Sequence, residues 1–155
     1  MLKLSTKSRY GLRAIFDIAY HSSGKPTQVK DISRRQEIPP RYLEQIFRNL
    51  TRAKIVGSKR GPQGGYFLLK NRQEITIKNI INATEGAIEV APCTNGNSHI
   101  KKCHRIAHCA ARTIWLEARD ILSEFLDSMT IGDMCTRAQE LGVAKETNRE
   151  VDFSI

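Results

Sequence analysis

The 155-residue chain contains no run of about 18 apolar residues, so no stretch of it reads as a membrane-spanning helix. Its first residues, MLKLSTKSRYGLRAIF, are charged throughout and lack both an uninterrupted apolar core and a small-residue cleavage site. They do not read as a secretory signal, and the expected compartment is the cytoplasm. Aromatic residues supply only 6% of the chain, with a single Trp, so the core must be packed mainly from aliphatic side chains. Repeats and low-complexity tracts are missing, which excludes solenoid and fibrous architectures. No paired acid–base constellation and no cofactor-binding fingerprint occurs, and the chain is not read as an enzyme. Acidic residues are scarce in one half: residues 1–72 carry 4 Asp/Glu against 16 Lys/Arg, a net +12, whereas residues 73–155 carry 12 against 9, a net −3. A basic half joined to a mildly acidic one points to a polyanion-binding module with something attached.

Residues 6–22 have helical spacing, with Tyr10, Ala14, Ile15, Ile18 and Ala19 on one stripe and Lys7, Arg13 and Asp17 outside it. Ser22-Ser23-Gly24-Lys25-Pro26 ends that helix. Val29–Gln36 predicts a short helix, Glu37-Ile38-Pro39-Pro40 a break, and about 40–53 a second helix whose buried stripe is Leu43, Ile46, Phe47 and Leu50. The outer face of the second helix carries Arg41, Tyr42, Glu44, Gln45, Arg48, Asn49 and Arg52. This is a helix-turn-helix pattern. Ile55–Ser58 and Tyr66–Leu69 then read as strands around the tip Lys59-Arg60-Gly61-Pro62-Gln63-Gly64-Gly65, a hairpin "wing". The tip lacks the Lys-Ser/Thr of a phosphate-binding P-loop, and no helix follows it. Thr76 caps a further short helix that returns Ile77, Ile80 and Ile81 to the core.

Three of the four cysteines, Cys93, Cys103 and Cys109, fall within seventeen residues, in a loop too poor in large apolar residues to order itself by burial. His99, His104 and His108 share that loop. Thiolates are the soft donors that iron–sulfur clusters take; zinc would use the same cysteines with one histidine, and a metal-free thiol switch would use their redox chemistry. Lys101, Lys102 and Arg105 favour the thiolate in each case. Cys135 is expected to be structural. From Ala111 the stripe Ala111, Ile114, Trp115, Ala118, Ile121, Leu122, Phe125 and Met129, widened by Leu116 and Leu126, exceeds what one small core needs, and a helix-to-helix dimer seam is its natural use. Thr130-Ile131-Gly132-Asp133-Met134 is read as ending it, and the residues from about 142 as frayed.

Taken together, SRYGLRAIFDIA, DISRRQEIPPRYLEQIFRNL, SKRGPQGGYFL and the pattern C-x9-C-x5-C-x5-W resemble the Rrf family of bacterial winged-helix transcription regulators, typified by IscR and NsrR, over roughly residues 3–135. The resemblance implies a homodimer that controls transcription, many members holding a [2Fe–2S] or [4Fe–4S] cluster on three cysteines ahead of a long dimer helix. Carried across, it places DNA contacts on Tyr42, Glu44, Gln45 and Arg60. Glutamine pairs with adenine and glutamate accepts from cytosine, while Arg41, Arg48, Arg52 and Lys59 suit phosphates. The cysteine pattern departs from the family in two ways. The gap Cys93-x9-Cys103 is long, and Arg112 and Arg9 stand where relatives supply a fourth ligand. His104, His108 and His99 are the local candidates and Cys135 a distant one, with an open site bearing a small exogenous ligand as the other alternative.

The expected architecture is mainly α with a small β-hairpin wing: a winged helix-turn-helix domain over 1–90, a cysteine-rich loop over 91–110, a dimerisation helix over 111–140 and a flexible tail over 141–155. The expected function is a repressor on palindromic double-stranded DNA whose binding responds to an iron–sulfur cluster on Cys93, Cys103 and Cys109. The alternatives are a cluster-free thiol switch, or a zinc or other metal-binding protein.

Overall fold

The architecture comes from a computed structural model that describes residues 4–94 and 103–146. Helix α1 spans Thr6–His21, with Ser5 accepting from the Ser8 backbone N–H as its cap. It is the centre of the molecule: α2 (Val29–Gln36), α3 (Pro40–Arg52), α4 (Ile77–Thr84) and α6 (Ile131–Glu140) all pack around it. Ala14, Ile15 and Ile18 of α1 meet Ile32, Ile38, Leu43, Ile46, Phe47, Leu50, Ile80 and Ile131 in one aliphatic core. Gly11 lets α4 approach closely, because a Cβ there would lie 2.9 Å from Thr84 Cγ2.

The break between α2 and α3 is built as the sequence predicts. Glu37 adopts a left-handed conformation (φ 52°), Ile38 turns into the core, and Pro40 opens α3. Strands β1 (Val56–Lys59) and β2 (Gly65–Leu68) pair antiparallel, Val56 opposite Leu68 and Lys59 opposite Gly65, one residue displaced from the predicted spans. Thr27 adds a short third rung, exchanging two backbone hydrogen bonds of 2.8 Å with Tyr66.

Three sequence expectations are corrected. Asp17, placed outside the α1 stripe, has no exposed surface; it forms a buried ion pair with Arg35 at 2.6 Å and accepts from Gln36 Nε2 at 2.9 Å. The helix expected to run over 111–140 is two. Helix α5 covers Ala110–Ser128, and α6 starts anew from a capping box in which Thr130 and Asp133 bond each other's backbone. Helix α6 belongs to the core through Ile131, Cys135 and Ala138. Finally, residues 141–146 are not frayed: Tyr20 donates its hydroxyl to Val143 O at 2.7 Å, and Glu146 N donates to His21 Nδ1 at 3.0 Å. The remainder of the expected tail lies outside the described residues.

The elbow between α5 and α6 is joined to the segment leaving the wing. Ile77 N donates to Met129 O, Ile131 N to Ile75 O and Gly132 N to Arg72 O, at 2.9–3.0 Å. Asp127 accepts from Thr76 Oγ1 and pairs with Lys78. Helix α5 itself has no buried residue. Arg112, Leu116, Arg119, Ser123 and Leu126 form its half-buried face, while Ile114, Ile121 and Phe125 are more than half exposed (56%, 65% and 54%).

Candidate nucleic-acid interface and cysteine segment

Helix α3 buries Leu43, Ile46, Phe47 and Leu50 and leaves Arg41, Tyr42, Glu44, Gln45, Arg48 and Arg52 exposed on its outer face. All six residues expected to meet DNA from this helix therefore share one accessible side. Tyr42 is less free than its neighbours: its ring sits edge-on to Tyr10 at 6.1 Å, and the Arg13 guanidinium lies 5.8 Å above the Tyr10 ring. Arg13 also donates to the Gln36 carbonyl, which closes the end of α2 onto α1. The buried Asp17–Arg35 pair beside it locks α2 against α1, so the helix that carries the turn into α3 has one orientation.

The wing is fixed to α3 from inside. Phe47 and Tyr66 stack with ring centroids 4.1 Å apart and planes 8° from parallel. Two glycines set its shape. A Cβ on Gly64 would lie 2.2 Å from Lys59 O, and one on Gly65 (φ +145°) 2.3 Å from Thr27 O. Lys59 and Arg60 project into solvent at the tip. The outer face of α3 and the wing thus present Arg41, Arg48, Arg52, Lys59 and Arg60 with one carboxylate, Glu44, among them.

The cysteine segment is built differently. Cys93 is half-buried in a 3-10 turn, Pro92–Thr94, and Cys109 is half-buried at the N-cap of α5, where its side chain makes no capping bond. Arg112 Nε donates to Cys93 O at 3.1 Å and Arg119 Nη1 to Thr94 O at 2.7 Å, strapping the turn along the first half of α5. Arg112, at the position where relatives supply a ligand, is therefore a backbone brace. Arg9, at the other such position, is exposed and donates to Thr6 Oγ1. Cys103, His104 and His108 are exposed in the turn that leads into α5. His99, with Lys101 and Lys102, lies outside the described residues. Among the described residues no three His, Cys, Asp or Glu side chains gather as a metal site. The donor set of three free thiols nonetheless suits an iron–sulfur cluster. Cys135 is 1% exposed in α6, and burial pushes its thiol pKa up, with Arg72 opposing.

The Rrf2 family, described as an iron-dependent transcriptional regulator, matches residues 4–137. The chain belongs to the Rrf2 family. It is similar to the HTH-type transcriptional regulator IscR of Pectobacterium atrosepticum, 35% identical over 143 residues that cover 92% of this chain and 85% of the relative. Among solved structures it resembles T. potens IscR, with TM-score 0.74, 33% identity and 93% of both chains covered. CymR, the global cysteine regulator of B. subtilis, gives TM-score 0.71 at 34% identity, covering 88% of this chain and 98% of that one. This Rrf2 protein is accordingly a winged-helix transcription regulator and not an enzyme. No helix among its described residues is long and apolar enough to cross a membrane.

Sequence reasoning missed the residues that brace the site. Gln36, Arg13 and Arg35 order the helix-turn-helix from behind, and Arg119 holds the cysteine turn. The only available signal was the two acid–base partners, Asp17 and Arg35, lying on helices that must pack together.

Proposed function

We propose that the protein is a cytoplasmic homodimer that represses from a palindromic DNA operator, and that an iron–sulfur cluster held by Cys93, Cys103 and Cys109 governs its binding. The observation that carries the reading is the placement of the cysteine turn: it is strapped by Arg112 and Arg119 to α5, and the far end of α5 is hydrogen-bonded to the segment leaving the wing. A change at the cysteines thus has a covalent and hydrogen-bonded route to the DNA-facing elements. Two copies related by a dyad place two α3 helices on successive major-groove faces, and the open stripe of α5 supplies the surface that joins them.

In this reading Tyr42, Glu44 and Gln45 meet base edges in the major groove, Arg60 enters the minor groove, and Arg41, Arg48, Arg52 and Lys59 bind phosphates. The cluster, when bound, supplies a redox- and ligand-sensitive centre. His104 or His108 is the local fourth donor, since Arg112 and Arg9 are committed elsewhere. A cluster-free thiol switch is the second reading, favoured by the exposure of Cys103 and the free capping position of Cys109.

Anaerobic purification followed by iron, zinc and acid-labile sulfide analysis tests the cofactor. Iron and sulfide in equal amounts, lost in Cys103→Ala, support the cluster. Zinc alone overturns it in favour of a metal site, and no metal with oxidant-reversible DNA binding overturns it in favour of the thiol switch. DNA binding itself is tested by titrating a duplex at several salt concentrations; an affinity indifferent to salt contradicts phosphate contacts by the basic face.

A further inference from the structure

The residue that opens α2 serves the helix through its backbone carbonyl alone, which accepts from Asp31 N and Ile32 N. Gln28 occupies the N-cap of α2, yet its side chain makes no capping bond. Instead its Nε2 donates to Pro62 O at 2.8 Å, across 34 residues of sequence, and Pro62 lies two residues past Arg60 at the wing tip. The bond is one of a set. Next to Gln28, Thr27 exchanges its two 2.8 Å backbone bonds with Tyr66 at the base of β2. Gly65 runs so close that a Cβ would lie 2.9 Å from Gln28 N, and within the tip Gly64 N donates to Gly61 O at 2.9 Å.

The two kinds of contact have different consequences. The Thr27–Tyr66 rung and the Phe47–Tyr66 stack secure the root of the hairpin. Beyond them, β1 and β2 are four residues each, and a two-stranded hairpin is marginal without further support. Arg60 carries a long flexible side chain on that tip, and the entropy of ordering it opposes any groove contact. A donor holding the Pro62 carbonyl fixes the height of the tip over α2, and so the depth at which Arg60 meets DNA.

We infer that Gln28 is a positioning residue for DNA recognition, holding the wing tip through Pro62 so that Arg60 reads the minor groove. The inference rests on the proposed minor-groove role of Arg60. Gln28 need not touch DNA for this.

The test uses the full-length protein and a duplex selected by it from a randomised library. At the flanking positions protected by the wing, each A·T pair is replaced by G·C or by inosine·C. The two replacements are nearly identical in the major groove, but only guanine carries the minor-groove 2-amino group. Wild type binds the inosine·C duplex more tightly than the G·C duplex. Gln28→Ala and Gln28→Glu, which has the same length but no donor at neutral pH, bring that preference to within about twofold of unity while the penalty for changing bases under α3 stays at its wild-type value. Loss of affinity on all duplexes alike, with the inosine preference retained, overturns the positioning role and leaves Gln28 a merely structural residue. Arg60→Ala separates the two readings. If it abolishes the preference and the Gln28 variants do not, only the role of Gln28 fails. If wild type and Arg60→Ala show the same preference, the minor-groove role of Arg60 fails and the inference falls with it.

Discussion

The body around α1 and the helix α5 obey opposite rules. In the first, Ile15, Ile32, Phe47, Leu50 and Ile80 are sealed from water, and even the charges Asp17 and Arg35 are inside. In the second, nineteen residues of helix contain none that is buried, although Ile114, Ile121 and Phe125 are as apolar as anything in the core. A contiguous open stripe of that kind on a folded domain marks an interaction surface, whereas scattered exposed apolar residues need no explanation. The body is a finished unit, and α5 carries an apolar stripe that its own chain leaves uncovered.

The contrast breaks most violently from the inside of the body. Removing one member of a buried ion pair leaves the other charge desolvated and alone. Asp17→Ala is expected to destabilise the folded protein by about 3–5 kcal/mol in chemical denaturation, with loss of DNA binding following the loss of fold. A replacement that costs under about 1 kcal/mol would mean that Arg35 escapes to water and the body is less closed than it looks.

Helix α5 gives the complementary test. Phe125→Glu places a charge on the open stripe, where it touches little of its own chain. The predicted effect is on association: monomers in sedimentation, with more than about 2 kcal/mol of dimer free energy lost, and near-unchanged unfolding of the body. If unfolding midpoints collapse while association persists, the stripe belongs to the monomer's own core. A smaller effect comes from the elbow that joins the two regions. Thr130→Ala removes a side chain that caps α6 and is expected to lower stability by about 1 kcal/mol. An equal loss in Thr130→Val and Thr130→Ala assigns it to the hydroxyl, and no loss in either would show that the elbow is held by its backbone bonds to residues 72–77 alone.

How much of this was readable beforehand follows from the range of the physics involved. The α3 stripe and the wing tip Arg60-Gly61-Pro62-Gln63-Gly64-Gly65 are written locally, in periodicity and in glycines that only one backbone path accepts. The start of α6 was also written locally: Thr130-Ile131-Gly132-Asp133 is a capping box, but its glycine made it look like an ending. Asp17 was misplaced because its partner Arg35 sits on another helix, and a lone acid on a helix edge reads as solvated. The contacts of Tyr20 and His21 with Val143 and Glu146 join positions more than a hundred residues apart, and no short-range pattern encodes them. The exposed residues of α3 were legible for the reverse reason: a helix that buries one stripe must expose the other. The cysteines stand out in the sequence by number and spacing, but the bracing by Arg112 and Arg119 depends on how the turn lies on α5.

The smallest predicted effect lies where the C-terminal strap crosses the body. His21 is buried, and burial, its largest influence, lowers its pKa from the ordinary value of 6.5; Arg35 acts the same way, while Asp17 and Glu146 oppose. Its Nδ1 must be unprotonated to accept from Glu146 N, and Glu146 also pairs with Arg34 at 2.6 Å while Lys145 lies 5.8 Å over the Tyr20 ring. An unfolded chain takes up a proton at this histidine near pH 6.5, but the folded chain resists it, so the unfolded state binds more protons below that pH. The stabilising contribution is therefore complete above the ordinary value and is lost as pH falls beneath it. Glu146 does not reverse the sign, because Arg34 holds its carboxyl below the usual carboxylate range. Denaturation midpoints compared between pH 7.5 and 5.5 should fall more in wild type than in His21→Gln, whose amide oxygen can accept without titrating. The protection factor of the Glu146 amide, its exchange rate relative to the intrinsic rate at each pH, should fall over the same interval in wild type only. Parallel midpoints in the two proteins would detach the strap from His21 and return residues 141–146 to the status of a tail.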